Sequence, residues 1–440
     1  MAIKGRKTFV YCCVLIVISL VISIRPMIFS TYASSNRNSV LFYLGTFMPM
    51  AVLFLYTSRY IEHAFPSLCC TLATILTLGN ASAMPLLRYT SAYELDNVLT
   101  YSKSLCMNSL ITVLLVPVVW CFISVSKRVH AEPKNHKWLY GGYLGISGIL
   151  VLVILLMTDK DSGTTIINLP GVSLQAALPV MIFSVLGFSL SWHVKKQSMR
   201  IATILAVGAI NTALFLKGET GIPLITLLAF CLWYNLLQPT KYPLVSASLP
   251  IILGCGAAGV VVIHVLSPVL PSTGLLHTLS SKIEDRIFSD SVDQVERGLR
   301  SIRTGGFWGA NGYNINVPEA SGDFCLATIL HYSGLVYLLL LLAAAIPMFY
   351  IGTKYYTNQR HDLDIELGSI SMAMIFTMVF YNILMCCSYL PVLGSQLPFT
   401  GVSVTYSILS AFLLGSITYS NDTVGRIIEK IKRGLERAQC

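Results

Sequence analysis

Charge is scarce in this sequence. Only 11% of its 440 residues are Asp, Glu, Lys or Arg, against about 25% in soluble domains. That shortage excludes an ordinary soluble enzyme. The chain has no Cys-x-x-Cys pair and no His–Cys cluster at zinc-ligand spacing, which argues against a structural zinc module. The Gly-rich run GGFWG at 305–309 is not followed by Lys-Ser or Lys-Thr, so it is not a P-loop. No Ser- or Pro-rich linker, long low-complexity tract or internal repeat divides the chain. The twelve cysteines do not read as a disulfide framework. Three adjacent pairs, Cys12-Cys13, Cys69-Cys70 and Cys386-Cys387, lie inside apolar runs, where thiols act as small apolar residues. Cys440 has no residue after it, which rules out a prenylation box.

What fills the chain instead is apolar sequence: 55% of residues are hydrophobic and the mean hydropathy is +0.70. A membrane-spanning helix takes about 20 mostly apolar residues. Spans are predicted near 8–30, 39–57, 66–87, 105–126, 138–157, 173–192, 200–216, 221–237, 247–269, 324–351, 367–389 and 398–419. The seventh and eighth are short and interrupted by Gly218, Gly221 and Pro223, which also fits one re-entrant hairpin. The fold class is therefore all-α, a polytopic membrane helix bundle of about 10–12 transmembrane helices. MAIKGRK and the apolar run after it show no small-residue cleavage site and are read as an uncleaved first span.

The net charge of +10 suits cytoplasmic loops rich in Lys and Arg better than a nucleic-acid surface. Lys4, Arg6, Lys7, Lys127, Arg128, Lys195, Lys196 and Arg200 fall on one side, with few basic residues in the short loops opposite. That asymmetry places both termini inside and the segment 270–323 outside, as a large extracytoplasmic loop before span ten. Residues 1–421 form one transmembrane domain. Residues 422–440 form a basic tail whose Val424, Ile427, Ile428, Ile431 and Leu435 recur at helical spacing, either as a helix on an anionic inner leaflet or as a solvated one.

The loop holds most of the chemistry. Ser280 to Arg303 has a helical period, with Ile283, Ile287, Val295, Leu299 and Ile302 on one face. Arg297, Arg300 and Arg303 occupy much of the other. A guanidinium grips phosphate through a planar fork, although such a face can equally be plain solvated charge. GGFWG reads most simply as a turn. PEASGDF follows at 318–324, directly before a long apolar run. Asp323 there is either a helix cap, favoured by the helix dipole, or a functional acid. Glu219, in KGETG at a broken span, is a second acid near the membrane surface, with Lys217 as a ready ion-pair partner.

Gln294 to Gly309, then PEASGDF, then Gly334-Leu335 resemble the long outer loop of the SEDS family, the FtsW, RodA and SpoVE proteins of bacterial cell-wall synthesis. SGTTIINLPGVSLQ at 162–175, KGETGIPL at 217–224 and QLPFTGVS at 396–403 resemble further family segments in the same order. The similarity runs over about 160–420. Departures are visible. The family His before the Asp is lost in the Ser321-Gly322 stretch. A Trp is missing near Thr164-Thr165. Gln175-Ala176-Ala177-Leu178 stands for Gln-Pro-Ser-Glu, and Glu219 stands for an Asp.

The resemblance implies a peptidoglycan glycosyltransferase of the bacterial cytoplasmic membrane, in cell division or shape maintenance. Its substrate would be lipid II, an undecaprenyl-pyrophosphate-linked disaccharide-pentapeptide, polymerised on the outer face. It implies Asp323 as the catalytic base. Glu319, Glu219, Lys217, Gln294, Arg297, Arg300 and Arg303 are the implied substrate contacts. A divalent cation, Mg²⁺ or Mn²⁺, is a further candidate for charge on the pyrophosphate, with Asp323 as its ligand. A class B penicillin-binding protein, the crosslinking transpeptidase, is the implied partner. Membrane lipids are further partners, and nucleic acid is not expected. The lost His and Trp keep open a non-catalytic scaffold that regulates such a partner. A transporter of lipid-linked substrate would need paired broken spans, and only one is visible, near Gly221. A ligase of lipid-linked polysaccharide would use Arg and His in its outer loop. His277 and His331 flank this one, where a lone His is usually structural.

Overall fold

The computed structural model describes residues 2–29, 37–60, 64–83, 95–131, 136–157, 166–169, 172–193, 197–217, 219, 221–237, 290–310, 322–359, 362–390, 392, 397–400 and 404–419. Over these residues the chain is a polytopic helical bundle. Its first helices are α1 (Ala2–Phe29), α2 (Arg37–Tyr60), α3 (Ala64–Ala83), α4 (Leu95–Ala131) and α5 (His136–Met157). An antiparallel hairpin follows, β1 (Ile166–Leu169) and β2 (Val172–Gln175), in the register Ile166 to Gln175 and Leu169 to Val172. Then come α6 (Ala177–His193), α7 (Gln197–Leu216) and α8 (Gly221–Leu232), the last extended by a π turn over Trp233–Leu237. The described chain resumes with α9 (Asp290–Gly305), α10 (Cys325–Ser333), α11 (Leu335–Thr357), α12 (Leu363–Cys386) and α13 (Val404–Thr418). The predicted span at 247–269, the helical pattern at 280–289, Glu319, His277 and the basic tail 422–440 lie outside the described residues.

Among the described residues, eight helices are long and apolar enough to cross a membrane. Three shorter apolar helices, Ala177–Ser191, Gly221–Asn235 and Val404–Thr418, accompany them. Burial separates two roles. The apolar window of α3 is 94% buried and that of α12 is 83% buried, against 28% for α1, α4, α5 and α7. So α3 and α12 are inner helices, and the less buried ones turn an apolar stripe to lipid. On α1 that stripe is Val10, Val14, Val17 and Val21; on α11 it is Leu335, Leu339, Ile346 and Tyr350.

The polar groups of α3 are satisfied within the bundle. The hydroxyls of Thr71, Thr74 and Thr77 each donate to the carbonyl four residues back, as a helix away from water requires. Where α3 meets α11, the ring of Tyr337 takes the space a Cβ on Gly79 would fill, and its hydroxyl donates to the Ile75 carbonyl. Small residues at such crossings let backbones approach. The ten described cysteines are free thiols, and Cys12, Cys69, Cys70, Cys231, Cys325 and Cys386 are buried.

Three predicted boundaries are corrected. Span six does not start at 173, because Val172–Gln175 pairs as a strand and the helix begins at Ala177. Span twelve does not start at 398, because Leu397–Thr400 forms a turn ahead of α13. The largest correction is span ten. The apolar run from 324 is not one helix: Gly334, at φ 78 and ψ 174, breaks it into the nine-residue α10 and the membrane-length α11. Every residue of α10 is buried.

The break is held by the Gly305–Ala310 turn. Leu335 and Val336 donate their amides to the carbonyls of Gly306 (3.0 Å) and Phe307 (3.1 Å). Ala310 donates to the His331 carbonyl at 2.8 Å. A Cβ on Gly309, at φ 93, would collide with the Tyr332 carbonyl, whereas one on Gly306, at φ 59, would meet open space. Gly309→Ala is therefore expected to cost about 2–5 kcal/mol, from left-handed strain plus overpacking. Gly306→Ala should cost only about 1–2 kcal/mol, from the strain alone. Thermal unfolding of both purified variants checks this; equal midpoints would contradict the docking account.

Candidate active site

Asp323 lies in a turn over Gly322–Phe324, one residue outside α10, whose N-cap is Phe324. Phe324 is fully buried and its ring packs over Gly298 of α9, where a Cβ would stand 3.0 Å from the ring. This contact fixes the end of α10 against the amphipathic α9. The backbone carbonyl of Asp323 accepts a hydrogen bond from Asn382 Nδ2 at 3.0 Å. Asn382 is a buried polar residue in the apolar α12.

Around this turn the ends of several helices converge. The Asp323 carboxylate is within electrostatic reach of the buried phenols of Tyr381 on α12 and Tyr406 on α13. Tyr406 is within reach of Glu219 as well. The two acids are 104 residues apart in sequence (323 minus 219), and the fold brings both within electrostatic reach of Tyr406. Both are half-buried. Glu219 is carried by the turn between α7 and α8, where its amide donates to the Leu214 carbonyl at 3.3 Å.

The Leu397–Thr400 turn closes another side. Asn80 of α3 donates to the Thr400 carbonyl at 2.5 Å and accepts from the Cys325 thiol at 3.1 Å. One side chain thus ties α3, the turn and the start of α10 together. Phe399 sits at φ 67 and Ser388 at φ 66, both non-glycine residues in the left-handed region. Such strain persists where the surroundings enforce it. Phe399 donates its amide to Ser410 Oγ at 3.2 Å. Beside Tyr406 a cavity of about 20 Å³ is lined by Thr77, Asn108, Ser109, Ser407 and Ser410 among others. Its lining mixes hydroxyl and amide groups with apolar side chains, and it is large enough for one water.

The other sequence candidates fall elsewhere. Gln294 is half-buried on α9, and Arg297, Arg300 and Arg303 are exposed on it. Arg300 pairs with Glu296 at 3.8 Å, with both side chains more than two-thirds exposed, a geometry that contributes little stability. Lys217 is half-buried and its amide closes the end of α7. In the GGFWG run the amides of Gly306 and Gly309, and just after it that of Ala310, already bond to backbone carbonyls and are not available to an anion. His331 is buried, with Nδ1 at 2.9 Å from the Ser301 carbonyl and 3.0 Å from Thr304 Oγ1. It fastens α10 to α9.

Asn80, Tyr381, Asn382 and Tyr406 were not marked by any motif. Polar side chains inside apolar runs were the available signal. As for a metal, no group of three or more His, Cys, Asp or Glu occurs among the described residues, so they build no closed protein cage. Mg²⁺ characteristically takes one or two carboxylates together with substrate phosphates, so Asp323 supplies the one protein ligand such a site needs at the least.

Residues 69–422 match the model of the FtsW/RodA/SpoVE family, described as cell cycle protein. The chain belongs to this family. No curated protein matches it in sequence. Among solved structures, a chain from a study of the structural coordination of polymerization and crosslinking by a peptidoglycan synthase complex is 16% identical. It superposes with a TM-score of 0.53 over 79% of this chain and 95% of that one. The rod shape determining protein RodA of Thermus thermophilus gives 16% identity and a TM-score of 0.47 over 82% and 96%. The first of these shares the fold, and the chain is a multi-pass membrane protein of that architecture.

Asn382→Leu removes the donor to the Asp323 carbonyl without a large change of volume. It is expected to destabilise the protein by about 1–3 kcal/mol, the cost of an unsatisfied buried acceptor. Arg300→Gln, on the exposed face of α9, should stay within about 0.5 kcal/mol of the parent. Denaturant or thermal unfolding of the two variants side by side measures the contrast.

Proposed function

We propose that the protein is an inverting peptidoglycan glycosyltransferase that polymerises lipid II. The observation that carries this reading is the placement of Asp323. It stands outside its helix, half-buried, where α12, α13 and Glu219 converge. Family membership and a fold shared with a chain of a peptidoglycan synthase complex support it.

In this reading the acceptor sugar's 4-hydroxyl oxygen attacks the anomeric carbon of the donor. The bond from that carbon to the pyrophosphate oxygen breaks, and its electron pair leaves with the pyrophosphate. Asp323 takes the hydroxyl proton, as a general base must from hydrogen-bond distance. Attack opposite the leaving group converts an α-linked donor into a β-1,4 glycan. Asn382 holds the Asp323 backbone, and the buried Tyr381 and Tyr406 keep the carboxylate's surroundings poor in water. Glu219 is the second acid of the site and Lys217 lies next to it. Arg297, Arg300, Arg303 and Gln294 on α9, with Glu319, are assigned to the pyrophosphate and sugars. Mg²⁺ or Mn²⁺, if bound at Asp323 and Glu219, would supply charge neutralisation at the pyrophosphate. The reaction face is extracytoplasmic, both termini are cytoplasmic, and a class B penicillin-binding protein crosslinks the product.

A regulatory scaffold is the second reading. The loss of the family His in the Ser321-Gly322 stretch favours it.

Glycan-chain formation from labelled lipid II separates the two. The parent protein, with its co-expressed transpeptidase, is expected to form polymer. Asp323→Ala and Asp323→Asn should fall at least about 100-fold, the lower range for a lost general base. Wild-type activity in those variants would remove Asp323 from the chemistry. No polymer from the parent, with the transpeptidase still bound, would establish the scaffold. Glu219→Gln should lower the rate by about tenfold and raise the Mg²⁺ concentration needed for half-maximal rate. An unchanged rate and metal response would leave Glu219 a structural acid.

A further inference from the structure

The Phe307–Trp308 tip of the Gly305–Ala310 turn has no role in the proposed chemistry. Both rings are exposed, Phe307 at 49% and Trp308 at 61%, and they meet edge to face at 5.0 Å. In a soluble protein such a tip would be a liability. Its position gives it another meaning. Val336 donates to the Phe307 carbonyl at 3.1 Å, so the tip is fixed at the first residues of α11, where a membrane-length apolar span begins at Leu335. The lipid-facing stripe of α11 starts at that same Leu335.

A second helix ends at the same level. The apolar window of α1 closes at Pro26. Arg25 lies four residues beyond Val21, continuing the lipid-facing stripe of α1 by one turn. The Arg25 guanidinium donates through one terminal nitrogen to the Trp308 carbonyl. Arg25 is half-buried, and a guanidinium carries five N–H donors. Farther along, Tyr11 of α1 donates to the Ala343 carbonyl of α11 at 2.7 Å, so the two helices run side by side.

We infer that Arg25, Phe307 and Trp308 form an interfacial anchor seated in the phospholipid headgroup layer of the leaflet on the Asp323 side, with Arg25 binding lipid phosphate. The occupant follows from continuity: the two stripes below the anchor face acyl chains, so the next layer outward is headgroup. Trp and Tyr collect at that depth. An Arg at a span end reaches up to phosphate while its stem stays apolar. The anchor sets the depth of α9 and α10, because the same turn is hydrogen-bonded to both the His331 carbonyl and the start of α11. The inference does not depend on the glycosyltransferase reading.

The full-length protein is reconstituted in nanodiscs of phosphatidylcholine with increasing phosphatidylglycerol. Nitroxide is placed on the headgroup or deep in the acyl chain. The chain has five tryptophans, so the Trp308 signal is the difference between the parent and Trp308→Phe. Phe307→Trp provides a second, gained reporter if that variant folds poorly. Headgroup nitroxide is expected to quench either reporter at least about threefold more than the deep label, as for a residue at the interface. The quenching should rise with phosphatidylglycerol in the parent and lose that rise in Arg25→Gln. Water-like emission unquenched by either label, or equal quenching by both, overturns the anchor. A rise with phosphatidylglycerol that persists in Arg25→Gln overturns the phosphate assignment to Arg25.

Discussion

A short buried helix in a membrane bundle has no water to satisfy the backbone groups at its ends. The apolar run that holds α10 and α11 could continue as one helix through 324–351, yet Gly334 at φ 78 stops it. The amides and carbonyls released at the break need partners within the protein, since unsatisfied groups there cost several kcal/mol each. The Gly305–Ala310 turn supplies them through Gly306, Phe307 and Ala310. Gly309 makes the approach feasible because any Cβ would strike the Tyr332 carbonyl. Because that docking is specific, α10 has one position. Its N-terminal neighbour Asp323 then has one position too.

From that anchor the site is assembled by side chains that each join distant segments. Asn382 reaches from α12 to the Asp323 backbone. Asn80 reaches from α3 to both Thr400 and Cys325. His331 reaches back to Ser301 and Thr304 on α9. Each is polar and would be unfavourable alone in an apolar bundle. Paired across segments, each fixes one helix end against another. The burial of α3 and α12 follows from the same need, since they supply the partners.

The bundle itself was readable from hydropathy, because a run of about 20 apolar residues has few alternatives to a spanning helix. Asp323 and Glu219 were readable as acids beside spans. The break at Gly334 was not, because α10 is as apolar as a span and differs only in where its backbone amides go. Hydropathy reports on side chains and says nothing of those partners. Asn80 and Asn382 were legible only as lone polar residues in apolar runs, a signal shared with side chains that merely bond their own helix. The GGFWG run suggested a turn, and the turn is there. That its backbone groups serve the α10–α11 junction depends on contacts 21 (331 minus 310) to 29 (335 minus 306) residues away, beyond any local pattern.

The position of Asp323 also bears on what a carboxylate can do there. An acid at the N-cap spends its oxygens on the first amides of the helix. Phe324 holds that position, and Asp323 stands one residue out, in the turn. Its backbone carbonyl is held by Asn382. A backbone fixed outside the helix end suits a group that must meet a substrate. Glu219 arrives by a separate turn, and Tyr406 is within reach of both acids. The two acids are carried by separate turns, so single and double substitutions can report each contribution and any coupling between them.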